Sequence, residues 1–209
     1  MRLDSDRKFI HNAVNLNRYD PDKIGGIYDF PTIKATQHIP EALIGFNYAR
    51  TAKDTGAGIH FFLDDYQFQR FWNRPEENLR ILHRFDCALS PDFSLFADMP
   101  MAMKIWNVYR SRLLGQLMQD DGIIVIPTLT WAEPETFGFC FDSIEPGGVV
   151  AVSTVGVMRD KEAQTIWSEG MQEALVRLAP SCVLCYGKHP DFFDFGDTPV
   201  RYYSTRDRW

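Results

Sequence analysis

The sequence predicts an α/β fold built on a mostly parallel sheet, and three observations carry that prediction. Residues 59–63 (IHFFL) are apolar without alternation, as in a strand buried on both faces. From residue 59 onward, strand-like and helix-like stretches follow one another as β-α-β-α-β-β-α-β, the order that right-handed crossovers give. Polar residues collect at the far ends of those strands, where a parallel sheet opens its ligand crevice. A small or incomplete (β/α) barrel is the first expectation, and an open doubly wound sheet the second.

The elements follow in order. Residues 1–30 have weak periodicity, with turn signals at Asp20-Pro21-Asp22 and Gly25-Gly26. They read as an arm lying over the rest of a single domain spanning residues 1–209. Short strands are expected at 32–36 and 42–46, and a strong one at 59–63. Asp65 is placed to cap the helix that carries Phe68, Phe71 and Trp72. Pro75 interrupts that helix, a second piece runs over 76–84, and a strand follows at 87–90.

A long helix is expected from Pro100, with Asp98 as its cap. Its stripe of Ile105, Trp106, Tyr109, Leu113 and Leu117 should face the sheet. Asp120-Asp121-Gly122 ends it, and a strand over 123–126 stops at Pro127. A short strand is expected at 137–141 and a firmer one at 149–152. The helix over 161–179 shows the clearest spacing, with Ala163, Ile166, Trp167, Gly170, Met171, Ala174, Leu175 and Leu178 on one face. Gly170 in mid-helix costs roughly 1 kcal/mol against Ala, which points to close packing there. Strand 182–186 precedes an aromatic and basic tail over 190–209, with Arg201, Arg206, Arg208 and Trp209.

Composition narrows the function. With 209 residues, 45% apolar and 24% charged, the chain supports its own core without disulfides or metal. A net charge of −6 argues against a broad basic face for duplex DNA and leaves local nucleic-acid contacts open. No apolar run approaches the roughly 20 residues of a membrane span, and the start lacks a signal peptide's apolar stretch. The four cysteines, Cys87, Cys140, Cys182 and Cys185, sit in apolar contexts and read as buried thiols in a reducing bacterial cytoplasm. Cys182 and Cys185 have the CxxC spacing but lie within a strand, with no second pair nearby.

The stretches HFFLDDYQFQRFW, SPDFSLFADMP, IWNVYRSR, IIVIPTLTW, VAVSTVG and VLCYGK, in this order, resemble an uncharacterised family of phage, plasmid and bacterial proteins known only as a domain of unknown function. The resemblance spans about residues 30–190. It implies a mobile-element or prophage setting and supplies no catalytic residues.

The candidate chemistry therefore rests on the residues. Asp64, Asp65 and Asp92 end two expected strands, so in a barrel they project from the edge that holds active sites. They are candidate nucleophiles or acid–base groups, and Asp64 with Asp92 could hold Mg²⁺ or Mn²⁺. The competing structural role is caps and turns. Ser94 lies on the same loop as Asp92. Asn107 and Arg110, three apart on a helix, could orient an anionic substrate; the competing role for Arg110 is a salt bridge. Thr128, Thr130 and Trp131 follow a strand, and Trp131 could stack on a base or sugar or simply pack. Ser153 and Thr154 sit on a strand-to-helix turn that could cradle a phosphate, without a GxGxxG or P-loop pattern.

Two function classes stay open. One is an enzyme acting on a nucleotide, sugar–base or phosphate substrate, including a nucleoside-cleaving variant in which an Asp attacks the sugar. The other is a non-catalytic phage accessory protein that binds a host protein or nucleic acid. Oligomeric state is not legible.

Overall fold

The computed structural model describes residues 11–205. The first ten residues and the tail positions Arg206, Arg208 and Trp209 lie outside the described residues. A two-stranded antiparallel hairpin comes first, β1 (Ile24–Gly25) with β2 (Phe30–Pro31). A four-stranded sheet follows in the order β3 (Leu43–Gly45), β4 (Gly58–His60), β5 (Cys87–Leu89) and β6 (Val125–Ile126). A three-stranded sheet holds β7 (Val149–Ser153), β8 (Cys182–Tyr186) and β9 (Val200–Tyr203). All neighbours in both larger sheets are parallel.

A parallel bridge between Thr128 and Ala151 joins the two sheets. Leu129 N–H donates to Ala151 O at 2.8 Å, and Ala151 N–H donates to Pro127 O at 2.9 Å. Seven parallel strands thus lie side by side in chain order. A doubly wound sheet reverses its strand order at the crevice; no reversal occurs here. No ladder joins β9 to β3 among the described residues, so the wall stays an incomplete barrel. One tie crosses the gap, from the Tyr203 hydroxyl to Pro40 O at 2.5 Å.

Strand side chains alternate between the faces. Leu43, Cys87, Leu89, Ile126, Val149, Ala151, Cys182, Leu184 and Tyr203 form one buried cluster inside the curve. Ile44, Ile59, Ala88 and Val125 face the opposite way and pack with Phe68, Phe71, Leu113, Leu114 and Met118 of the helices. Val150, Val152, Val183 and Cys185 pack with Trp167, Met171, Ala174 and Leu178. Burying each large side chain stabilises by about 1.5–3 kcal/mol, which holds the helices to one face.

The helices are α1 (Asp65–Asn73), α2 (Pro75–Leu82), α3 (Met101–Asp120), α4 (Phe137–Cys140) and α5 (Lys161–Leu178). Several expectations need correction. Asp65 is the first residue of α1 and makes no cap; Asp64 takes the cap position without a side-chain bond to the helix backbone. Pro100, not Asp98, flanks α3, again without a side-chain cap. The expected strand at 137–141 is helical. Pro134 opens a 3-10 turn over Pro134–Thr136, and Phe137 and Phe141 are spaced four apart as a helix requires, with ring centroids 6.2 Å apart. Residues 32–36 make only a bridge from Ile33 to Ile144, because their backbone bonds serve a strap.

The stripe expected to turn α3 toward the sheet holds only in part: Leu113 is buried against the strands, with Tyr109 and Leu117 packed alongside. Trp106 is exposed, and Ile105 and Tyr109 are half-buried against the arm. The buried side of α3 carries Asn107, Ser111, Leu114 and Met118, and Lys104, Arg112 and Gln116 are buried too. This helix is covered from both sides, so hydrophobicity does not mark its inner face. By contrast, α5 buries Trp167, Gly170, Met171, Ala174 and Leu178 as expected, and Asp160 caps it through Glu162 and Ala163 N–H.

The strap over residues 33–40 crosses the amino-terminal ends of the strands. Val149 N–H donates to Thr36 O, Gln37 Nε2 donates to Gly147 O, and Ser181 Oγ donates to Gln37 Oε1. His38 pairs with Asp86 at the foot of β5. No helix among the described residues is long and apolar enough to cross a membrane.

Candidate functional site

The carboxyl ends of β4, β5, β6 and β7 open into one cleft of about 780 Å³. Each strand's continuation supplies part of it: Phe62–Asp64 after β4, Asp92 and 94–97 after β5, 129–133 after β6, and Ser153 with 155–157 after β7. Ala163, Ile166 and Trp167 of α5 close one side.

The loops are fixed by hydrogen bonds to one another. Ser90 Oγ accepts from Thr128 N–H at 2.9 Å, and the Thr128 hydroxyl returns a bond to Ser90 O at 2.7 Å. Thr128 therefore locks the ends of β5 and β6 together; it is buried and does not line the cleft. Ser94 donates through both N–H and Oγ to Asp65, the latter at 2.8 Å. Asn107 Nδ2 donates to Ser94 O at 2.6 Å, and Arg110 donates to Asn107 Oδ1 at 2.5 Å. Arg110 also donates to Gln69 Oε1 and lies over the Phe93 ring at 3.8 Å. This chain of contacts places Asp65, Asn107 and Arg110 behind the cleft wall as supports. Thr154 is buried as well, its hydroxyl donating to Lys188 O at 2.8 Å.

The structure brings Asp64, Asp92, Ser94, Trp131 and Ser153 to the cleft surface. Asp92 sits half-buried on its floor. Burial foremost, and then the charge of Asp65, push its carboxyl up to about 7 against the opposing effect of a hydrogen bond from Thr130. Trp131 lays its indole on Gly170, where a Cβ would come within 2.2 Å of Nε1. Its Nε1–H donates to Ile166 O at 3.1 Å, and its ring lies 5.9 Å from Trp167. The mid-helix glycine is thus explained by the aromatic wall.

Sequence reasoning missed Lys104. It is buried in α3, and its Nζ donates to Ala97 O at 3.0 Å and pairs with Glu133, clamping the loops after β5 and β6 together. Burial by itself would raise the Glu133 carboxyl, but Lys104 and a backbone N–H outweigh it and the net shift is downward. A lone Lys on an apolar-spaced helix gives no signal of this. Arg112, also buried, donates to Cys140 O and Asp142 O away from the cleft, and burial lowers its pKa to about 10.

Among the described residues the lining carries three carboxylates, Asp64, Asp92 and Glu133, and no Lys, Arg or His. Asp64 and Asp92 are not joined by a third close His, Cys, Asp or Glu donor among the described residues.

Residues 23–204 match a domain of unknown function, DUF4417. The chain belongs to the DUF4417 family. This DUF4417 chain is 42% identical over 197 residues to the Gene 1 protein of Mycobacterium phage D29, covering 93% of this chain and 72% of that protein. It is 41% identical over 191 residues to the Gene 1 protein of Mycobacterium phage L5, covering 87% of this chain and 82% of that one. The phage relationship expected of the sequence is therefore present. No solved structure matches this DUF4417 chain at a significant level.

Proposed function

We propose that the cleft is an active site that cleaves the bond between a sugar and a base in an uncharged, nucleoside-type substrate. The observation that carries this reading is Asp92. Its carboxyl is pushed up to about 7, and it lies in a cleft with two further carboxylates and, among the described residues, no lining cation. A carboxyl that keeps its proton near neutral pH is suited to protonating a leaving base, while an ionised carboxylate in the same cleft faces developing positive charge on the sugar. Asp92 is assigned the acid and Asp64 the stabilising carboxylate. As the sugar–nitrogen bond breaks, the Asp92 proton passes to the base. Water then adds to the sugar carbon, and the proton it releases returns to Asp92. Trp131, half-buried in the lining, offers an aromatic face for stacking the base.

Among the described residues no Lys, Arg or His lines the cleft, which favours an uncharged substrate over a phosphate. Arg110, which could have supplied the positive charge, is engaged behind the wall.

The test incubates the purified chain with a panel of ribo- and deoxyribonucleosides and follows free base by chromatography. Turnover with a pH limb near 7, reduced roughly 100-fold or more by Asp92→Asn, is expected. No base release from any member of the panel rejects the proposal. Faster turnover of nucleoside monophosphates than of nucleosides rejects the charge argument.

A second reading, a non-catalytic accessory protein that binds a host protein, draws on a separate apolar cleft of about 380 Å³ lined by Val14, Leu16, Tyr19, Tyr28, Ile105 and Trp106. It gains ground if the panel is untouched and Trp106→Ala abolishes a specific host contact.

A further inference from the structure

The opposite end of the strands carries a different chemistry. His38 of the strap meets Asp86 and Cys87 at the foot of β5, and one ligand atom from each lies within 4.8 Å of the other two. These three residues are the group with metal-compatible spacing among the described residues. His38 stands 48 residues before Asp86 in the chain and is brought to it by the strap's path. The proposal is independent of the cleft.

The backbone of this cluster is held before any ligand arrives. Asp86 N–H donates to Thr55 O at 3.1 Å and to Ala57 O at 3.3 Å, and His38 N–H donates to Thr36 Oγ1 at 3.2 Å. Cys87 pairs in the ladder with Gly58, where a Cβ would come within 2.7 Å of the Cys87 Sγ. Gly58 thus leaves the sulfur its room. His38 and Asp86 are about a third exposed, so an ion can reach the cluster from solvent, while Cys87 is buried.

We propose that His38, Asp86 and Cys87 form a transition-metal site of the zinc class, with a fourth position for water. The donor set is one nitrogen, one oxygen and one sulfur. Hard cations such as Mg²⁺ and Ca²⁺ take oxygen ligands, whereas Zn²⁺ accepts all three types. With metal–ligand bonds of about 2.0–2.3 Å, a tetrahedral site puts its ligand atoms about 3.3–3.8 Å apart. His38 Nε2 and Asp86 Oδ2 lie 2.6 Å apart, bonded to each other, so they separate by roughly 1 Å as the ion replaces their shared proton. The Cys87 thiol gives up its proton to solvent on binding. The ion would then fasten the strap to β5 and close the lower mouth of the incomplete barrel.

The test is an anaerobic titration of the reduced, full-length chain with Co²⁺, a spectroscopic substitute for Zn²⁺. One equivalent should produce the near-ultraviolet sulfur-to-cobalt band together with visible bands of tetrahedral intensity. Zn²⁺ should displace it and raise the melting temperature. Cys87→Ser should remove the sulfur band. His38→Ala, at a partly exposed strap position, should weaken binding by at least the roughly 10–100-fold that outer-shell changes already cost. Cys182→Ser should leave the band in place. No sulfur band in the folded native chain overturns the proposal, as does a band that survives Cys87→Ser.

Discussion

Two titrating groups, Asp92 in the cleft and His60 inside the curve, should pull stability in opposite directions with pH, and Asp92→Asn should expose the hidden one. Asp92 titrates near 7 in the fold against 3.8 when free, because burial favours its neutral form. The folded state therefore binds the proton more tightly than the unfolded state. This contribution is fully present below about 3.8 and is lost as pH rises through about 7. His60 is the reverse case. It is buried inside the curve beside Phe62 and Tyr186, its Nδ1 accepts from Phe62 N–H, and burial lowers its pKa from 6.5 to about 4. The unfolded chain takes up this proton first, so stability falls as pH drops from about 6.5 toward 4.

At about 1.36 kcal/mol per unit, integrating each titration from pH 5 to pH 7 gives roughly 2 kcal/mol, with opposite signs. Solvent in the cleft trims the Asp92 share toward about 1–2 kcal/mol. The two contributions nearly cancel in the native chain. Urea denaturation at half-unit pH steps reads the balance. Asp92→Asn keeps an oxygen for Thr130 and should gain about 2 kcal/mol between pH 5 and pH 7. His60→Asn keeps an acceptor for Phe62 N–H and should lose a similar amount over the same range. Parallel pH profiles for the native chain and both variants would refute the reasoning.

Other outcomes follow from the packing. Gly170→Ala should destabilise by about 1–3 kcal/mol in urea despite the better helix propensity of Ala, because its Cβ meets the Trp131 indole; an unchanged or raised midpoint would contradict that contact. Lys104→Met should cost about 2–4 kcal/mol by stranding Glu133 and Ala97 O, and a double-mutant cycle with Glu133→Gln should recover part of it; strictly additive losses would deny the coupling. The four cysteines are free and buried, with burial pushing Cys140 and Cys185 up to about 12, so a thiol reagent at pH 8 should label them only after denaturation. Rapid labelling of the metal-free folded chain would show that the interior is more open than described.

The sequence by itself determined the layout. An unbroken apolar run at 59–63, crossovers with clear helical spacing and polar residues behind each strand gave a parallel sheet with its crevice at the carboxyl ends. Asp64, Asp92, Ser94, Trp131 and Ser153 are legible there because strand ends are marked by Pro, Gly and acidic residues. Gly170 was legible as a close contact because a mid-helix glycine has a cost that needs a reason.

Only the tertiary structure decided which polar residues face the cleft and which stand behind it. Asp65, Asn107, Arg110, Thr128 and Thr154 have the same chemical character in the sequence as the lining residues, yet their groups are taken up by neighbours far along the chain. The inner face of α3 was legible only in part, at Leu113 and its neighbours Tyr109 and Leu117, because both sides of that helix are covered and apolar residues occur on each. Lys104 and the trio of His38, Asp86 and Cys87 carry no motif at all, since their partners lie on other loops. Local pattern records how a segment meets an apolar layer. Pairings between polar groups across the fold depend on where the strap and the loops cross, and that is fixed only when the whole chain packs.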